Sequence, residues 1–180
     1  MHDFHPKLQT PICEKLGIDY PIIQTGMGWV STSQLTAATS ATGAIGFLAT
    51  ATQTFSEMKA SVREIQELTD NPFGINVRTD SPDIEERLNW AIKAGVKVVS
   101  FAQAPKPEMV KKLSDSGIVT IPTIAARRHA EKVAEWGVDA VIAQGQEGGG
   151  METAHEEVRS TDRCQIRTLV YRHRWVQDLE

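Results

Sequence analysis

Polar and glycine-rich segments recur along the sequence wherever a short β-branched run stops. Asn76 and Gln144 follow two such runs, and each amide offers both a hydrogen-bond donor and an acceptor, which suits the mixed edge of a flat heterocyclic ring. Glycines allow a backbone to approach such a ring or a phosphate closely. A glycine-rich segment is equally explained as a flexible loop. These residues therefore indicate a binding site only if the fold brings them close together. The other run ends are residues 25–28, 49–50, 101–102 and 144–150, together with Thr123.

The elements that would position these residues follow a regular pattern. From residue 20 to residue 145, short β-branched runs alternate with amphipathic helical stretches, which is typical of parallel βα units. N-cap candidates at residues 31–33 and a capping box of Thr54 and Glu57 mark helix starts, and glycines such as Gly43 and Gly95 mark helix ends. Strands are predicted at residues 21–25, 46–48, 73–77, 96–101, 118–121 and 140–144.

Six βα units fit two α/β folds. A doubly wound sheet and most of a (β/α)8 barrel both contain such units, and periodicity alone does not choose between them. In a barrel, the functional groups collect at the carboxyl ends of the strands. A complete barrel has about 250 residues, whereas this chain has 180. A barrel that stops after six strands would leave two unpaired edges, which favours self-association.

The composition argues against several classes of partner. A formal net charge of −4 gives no basic face for nucleic acid. No run approaches the ~20 apolar residues of a membrane-spanning helix, and the N-terminus lacks a signal-peptide pattern. Cys13 and Cys164 lie far apart and match no disulfide or metal spacing. The sequence therefore predicts a soluble cytoplasmic protein that acts on a small molecule, without a metal and without a nucleic-acid or membrane partner.

Four motifs resemble the nitronate monooxygenase (2-nitropropane dioxygenase) family, in the same order and at the right spacing. They are PIIQTGM, a Gly-Phe-Leu second strand, FGIN and AVIAQGQEGGG, and the resemblance covers about residues 8–150. It implies an incomplete TIM (β/α)8 barrel with about six of the eight βα units and an FMN bound across the strand ends. The activity implied is oxidation of nitronates with dioxygen, in which the flavin carries the redox chemistry. Cys13 precedes the first strand, which argues against the inosine-monophosphate-dehydrogenase-like barrels, where a loop thiolate is expected.

The resemblance also implies which residues contact the FMN, through the backbone around the first strand end, two side-chain amides and the last glycines. These residues are Thr25, Gly26, Met27, Asn76, Gln144, Gly149 and Gly150.

The catalytic position departs from the family pattern. The family places a histidine directly after the glycines, as a proton donor or base beside the flavin, and this sequence has Met151 there. A thioether transfers no proton, so the resemblance leaves no catalytic residue intact, and we expect the truncated chain to be inactive as an FMN-dependent oxidoreductase. His155 is out of register, and Glu147 is the nearest remaining ionisable side chain in the same loop.

Residues 151–180 form a second, non-matching segment after the barrel portion at residues 1–150. This tail contains five arginines but no glycine with which to bind the FMN phosphate, where the family continues with a Gly-Gly strand end. A possible coding sequence for residues 170–176, shifted by one nucleotide, reads Phe-Ile-Ala-Ile-Gly-Gly-Phe, close to the missing strand. The hypothesis is an out-of-frame tail, and the alternative is a genuine variant terminus.

Two other functions remain open from the sequence. The segments at residues 24–30, 100–102 and 147–150 look like an actinobacterial branch of flavin reductases that act on CoA thioesters from sterol-ring breakdown. Alternatively, the chain is no enzyme but a gene remnant that pairs its open edges with another chain.

Overall fold

Six β-strands run parallel and neighbour one another in the order of the chain, because a helix connects each strand to the next and crosses back over the sheet. The computed structural model describes residues 8–144 and the strand at residues 168–169. This sequential order excludes the doubly wound alternative, in which the order reverses at a switch point. The predicted incomplete barrel is confirmed. The strands are β1 (Ile23–Gln24), β2 (Ile45–Ala49), β3 (Gly74–Val77), β4 (Val98–Phe101), β5 (Val119–Ile124) and β6 (Val141–Ala143).

The helices begin where the capping signals place them. Thr32 is the N-cap of the helix that follows β1, within the predicted range. The capping box is confirmed, since the Thr54 N–H donates to Glu57 Oε2 at 2.7 Å and the Glu57 N–H donates to Thr54 Oγ1 at 3.3 Å. The helices are α1 (Pro11–Leu16), α2 (Ser33–Ala41), α3 (Phe55–Leu68), α4 (Ile84–Lys93), α5 (Pro107–Asp115) and α6 (Arg127–Glu135). Within the described ranges, no helix is both long and apolar enough to cross a membrane.

Two elements are absent from the sequence-based prediction. The short helix α1 packs Ile12, Cys13 and Leu16 against residues of the barrel interior. The strand β7 (Thr168–Leu169) pairs antiparallel with Val141 and Ile142 of β6. The expectation of an unpaired β6 edge is therefore wrong at these two residues, because a piece of the tail covers them.

The alternation of side chains along the strands separates two cores. Ile45, Phe47 and Val98 point into the barrel and pack with α1, whereas the residues between them face the surrounding helices. Gly74 is required by this interior packing, since a Cβ there would lie 2.0 Å from the Phe47 ring. The interior of the lower barrel is thus filled with apolar side chains.

A buried arginine fixes the β2–α3 loop (residues 50–54) at this end of the barrel. The Arg87 guanidinium, on α4, donates to the carbonyl oxygens of Thr50 at 3.1 Å and Gln53 at 2.7 Å, and to Asp83 Oδ1 at 2.8 Å. The Arg87 side chain is 7% exposed, so few of these bonds compete with water. Thr50 Oγ1 in turn donates to the Asn76 carbonyl at 2.8 Å, which links the loop to β3.

We expect Arg87→Met to lower the free energy of unfolding by about 2–4 kcal/mol, because two carbonyls and one carboxylate lose a buried cationic donor. Urea unfolding measures the change. The matched control is Arg78→Met, whose guanidinium bonds Asp80 at the exposed surface and should contribute less than about 1 kcal/mol. Equal losses in the two variants would show that the loop does not depend on Arg87.

The same ion pair predicts a pH dependence of stability. The Arg87 hydrogen bond holds the pKa of the Asp83 carboxyl below its usual range. A lowered folded-state pKa stabilises the fold above the unfolded value of about 3.9, and this contribution is lost as pH falls through the folded-state pKa. The difference in unfolding free energy between the wild type and Asp83→Asn should therefore be largest near neutral pH and shrink in acid. A difference that is constant between pH 7 and pH 3 would contradict the assignment.

Candidate functional site at the strand ends

The inward-facing side of the barrel changes from apolar to polar toward the carboxyl ends of the strands. Asn76 follows Gly74 on β3, Ser100 follows Val98 on β4, and Thr123 follows Ile121 on β5, each two residues further along. Gln144, directly after β6, continues this side of the sheet, and its N–H donates to the Ile124 carbonyl at 3.0 Å. The fold thus collects the neutral polar residues that the sequence placed at strand ends, as a barrel requires.

A buried serine orients the Asn76 amide. Asn76 Nδ2 donates to Ser100 Oγ at 2.8 Å, and Ser100 is fully buried. This bond turns the amide nitrogen toward β4. Asn76 Oδ1 then lies on the side of Gly26, 3.3 Å from the position that a Gly26 Cβ would occupy.

The β1–α2 loop (residues 25–32) crosses directly over Asn76. A Cβ on Gly26 would lie 2.5 Å from Asn76 Cβ, closer than any real Cβ contact, so the crossing depends on glycine at this position. The structure therefore brings together two of the residues that the resemblance implies, and it places Thr25 and Met27 on either side of the crossing.

The shape of this loop depends on the hydroxyl of Ser31, which is 1% exposed. Ser31 Oγ accepts from the Met27 N–H at 2.8 Å and from Gln24 Nε2 at 2.8 Å, and donates to the Thr25 carbonyl at 2.9 Å. The Ser31 carbonyl accepts from the Ala49 N–H at 3.1 Å, which ties the loop to the end of β2. The backbone around Gly26 is thus held before any ligand arrives.

Sequence reasoning missed two of these positioning residues. Ser31 was predicted only as an N-cap candidate, and its three partners lie in a loop whose path the sequence does not show. Arg87 left a clearer signal, because it lies three residues after Ile84 and next to Leu88 on the buried face of α4. A cation on an apolar helix face needs buried acceptors, which predicts a loop anchor.

A cleft lies beside the crossing, between the β1–α2 and β2–α3 loops, and we call it the loop cleft. Its volume is about 310 Å³. Glu57 is its one ionisable residue, and the pKa of that carboxyl lies below its usual range because it accepts from the Thr54 backbone and hydroxyl. Glu57 is therefore ionised at neutral pH. The lining residues are Trp29, Ser31, Thr32, Ala49, Thr52, Gln53, Glu57 and Ser61.

A larger cavity, of about 520 Å³, lies at the opposite end of the strands. It is lined by residues such as Gln66, Asn71 and Lys97, which precede β3 and β4 or end α3. This end of a barrel contributes to stability rather than to chemistry. The cavity is separate from the candidate site.

The described part of the site contains no group for proton transfer. Between residues 8 and 144, the inward positions at the strand ends are amides, hydroxyls and small apolar side chains, and no cluster of His, Cys, Asp or Glu could hold a metal ion. Gly149, Gly150, Met151, Glu147 and His155 lie outside the described residues, as does most of the segment at residues 151–180. The implied contacts of the last glycines and the catalytic position therefore stay predictions.

Comparison with known proteins agrees with this geometry. Residues 9–172 match the family model described as nitronate monooxygenase. Over 144 residues the chain is 48% identical to the (3aS,4S,5R,7aS)-5-hydroxy-7a-methyl-1-oxo-octahydro-1H-indene-4-carboxyl-CoA dehydrogenase of Mycobacterium tuberculosis, covering 80% of this chain and 41% of the relative. Over 190 residues it is 27% identical to a probable nitronate monooxygenase of Staphylococcus saprophyticus, covering 86% of this chain and 54% of that protein.

A solved structure shows the same fold. FabK from Thermotoga maritima superposes with a TM-score of 0.76 at 32% identity, over 79% of this chain and 46% of that chain. The chain thus spans about half the length, or less, of the proteins that it matches here. The family match covers most of the chain. The chain therefore belongs to the nitronate monooxygenase family of oxidoreductase enzymes.

Proposed function

We propose that this chain is part of an FMN-dependent oxidoreductase whose substrate is a CoA thioester. The observation that carries the flavin assignment is a set of uncharged polar residues at the carboxyl ends of the strands, which we call the polar layer (Asn76, Ser100, Thr123 and Gln144). The β1–α2 loop crosses over this layer at Gly26, directly above Asn76. The substrate class is supported by sequence identity, which is 48% with a CoA-thioester dehydrogenase and 27% with a probable nitronate monooxygenase. Oxidation of nitronates, the first prediction from the sequence, stays a prediction and is the rival function.

The described residues fit the ring of a flavin. The Asn76 amide, held by Ser100, would present Oδ1 to a ring N–H, and the Gln144 amide would lie across the barrel mouth from it. The backbone around Gly26, held by Ser31, is close enough to the mouth to contact a flat ring edge-on. When bound, FMN supplies the electron transfer, and the protein holds it in orientation. The backbone of Gly149 and Gly150 would complete the contacts.

In this proposal, the group that transfers a proton lies after Gln144 in the chain. The amides and hydroxyls of the polar layer do not titrate near neutral pH, so they bind and orient but do not act as acid or base. Met151 occupies the position of the family histidine, and Glu147 is the first ionisable side chain after β6. Glu147 becomes the candidate for this role only if a full-length form with Met151 retains activity.

We also propose a cytoplasmic enzyme that associates through the open edge of β1. Within the described residues β1 pairs with β2 alone, and Ile22, directly before it, is 58% exposed. An exposed apolar strand edge pairs readily with another chain. Sedimentation velocity should show an oligomer for the wild type and a monomer for Ile22→Lys, and a monomeric wild type would contradict this proposal.

The function is tested by flavin absorbance under anaerobic conditions. After incubation with FMN and gel filtration, oxidised and dithionite-reduced protein is mixed with an alicyclic acyl-CoA thioester or with propyl-2-nitronate. We expect the thioester to change the flavin redox state and the nitronate to leave it unchanged. A response to the nitronate alone would support the rival function, and bound flavin that responds to neither would indicate a binding remnant.

The roles of Asn76 and Ser100 predict a graded loss of flavin affinity. Asn76→Ala should weaken FMN binding about tenfold, because it removes one hydrogen bond to the ring. Ser100→Ala should cause a smaller loss and shift the flavin midpoint potential, whereas Ser100→Thr retains the hydroxyl and should restore both. Fluorescence titration and spectroelectrochemistry measure these effects.

The matched control is Thr120→Ala, which removes another fully buried hydroxyl. Thr120 Oγ1 bonds Asp139 Oδ2 at 3.2 Å near the start of β5, away from the carboxyl ends of the strands. It should lower stability without changing FMN affinity or potential. An equal loss of affinity in Thr120→Ala and Ser100→Ala would assign Ser100 to general stability.

A further inference from the structure

The open edge of the sheet at β1 has a defined set of free backbone groups. The Ile45 N–H donates to the Ile22 carbonyl at 3.1 Å, so Ile22 directs its carbonyl toward β2. Because successive residues of a strand direct their backbone groups to opposite sides, the N–H and the carbonyl of Ile23 point away from β2. Within the described residues, β1 has no neighbouring strand on that side. Ile23 therefore presents one donor and one acceptor at the edge.

The residues two positions away from Ile23 do not offer both groups. The Thr25 carbonyl already accepts from two side chains, the Ser31 hydroxyl at 2.9 Å and the Gln24 amide. Two donors occupy both lone pairs of a carbonyl oxygen. On the other side, Pro21 has no N–H. Along this edge, within the described chain, Ile23 is thus the residue that has a free donor together with a free acceptor.

A residue with these two groups is complementary to itself across an antiparallel edge. Two residues that lie directly opposite in an antiparallel pair exchange both N–H···O bonds. If Ile23 of one copy lies opposite Ile23 of a second copy, both bonds form and a twofold axis passes between the two residues. A register that places Pro21 or Thr25 opposite Ile23 loses one of the two bonds. The twofold register also places Ile22, which is 58% exposed, beside Gln24 of the second copy.

The tail closes the other edge of the sheet. The Gln144 N–H donates to the Ile124 carbonyl at 3.0 Å, so the alternate residues Val141 and Ala143 direct their backbone groups away from β5. The antiparallel strand β7 places Leu169 opposite Val141 and uses these edge groups. The β1 strand of a further copy therefore has no free partner at Val141, and head-to-tail growth of the sheet is blocked there.

We propose that two copies of the chain pair antiparallel through β1, about a twofold axis at Ile23, and that β7 limits the assembly to this dimer. The inference rests on the association through β1 in the proposed function, and it specifies the partner, the register and the stoichiometry. Because the paired strands run in opposite directions, the two barrel mouths open toward opposite ends of the dimer. Each copy then keeps a separate candidate site.

Hydrogen exchange at single amides, measured by NMR above and below the dissociation constant of the dimer, tests the register. The Ile23 N–H should exchange about tenfold more slowly in the dimer, because it has a hydrogen bond only there. The Gln24 N–H, which faces β2 within each copy, is the internal control and should exchange at one rate at both concentrations. In Ile22→Lys, the Ile23 N–H should exchange at the fast rate throughout.

Sedimentation velocity over the same concentrations tests the stoichiometry. The wild type should contain monomer and dimer and no larger species. Leu169→Pro removes the backbone donor that faces Val141, so it should add species larger than the dimer. Leu169→Ala retains that donor and is the matched control, which should resemble the wild type.

Each outcome decides one part of the inference. A wild type that is monomeric at every concentration would overturn the association and the inference together. A dimer in which the Ile23 N–H exchanges at a rate independent of concentration would overturn the register and leave the association in place. Larger species in the wild type, or an unchanged stoichiometry in Leu169→Pro, would overturn the role of β7. None of these results bears on the flavin response to thioesters, which tests the enzymatic part of the proposed function separately.

Discussion

The Ser31 hydroxyl is the interaction on which the candidate site depends. It has three partners, and all three belong to the segment between the end of β1 and the start of α2. Without it, the Met27 N–H would lose its buried acceptor and the Gln24 amide would lose one of its three, which leaves only the Gln24 side chain bonded to the Thr25 carbonyl beside Gly26. A serine suits this position because one hydroxyl both donates and accepts. The Ser31 hydroxyl therefore holds the path of the β1–α2 loop over the barrel mouth.

The residues that position the candidate site differ from the residues that would contact a ligand. Buried polar side chains such as Ser100 and Arg87 bond to backbone or to another side chain. Asn76, which Ser100 orients, lies at the barrel mouth beside Gly26. Buried hydrogen bonds in a low-dielectric surrounding are stiff, so this arrangement fixes the geometry of the contacts before binding and lowers the cost of ordering them.

Local signals in the sequence were enough to predict the six parallel strands, the helices between them and the cap at Thr54, because periodicity and capping depend on neighbours along the chain. They did not predict α1, whose six residues are too short to show a helical period, or β7, which pairs only through tertiary contact. The strand-end residues Asn76 and Gln144 could be identified, since a barrel collects them by topology. The partners of Ser31 and Arg87 could not, because they depend on the paths of loops that contain no periodic pattern.

The short helix α1 has a consequence for how the barrel opens. Cys13 is 2% exposed and packs with Leu16 against residues of the barrel interior, at the end opposite the candidate site. A thiol reagent can reach this sulfur only when α1 separates from the strands, so the rate of modification of Cys13 would report local opening of the barrel floor. Ligands at the mouth that slow this reaction would show that the two ends of the barrel, joined by strands of only a few residues, open as one unit.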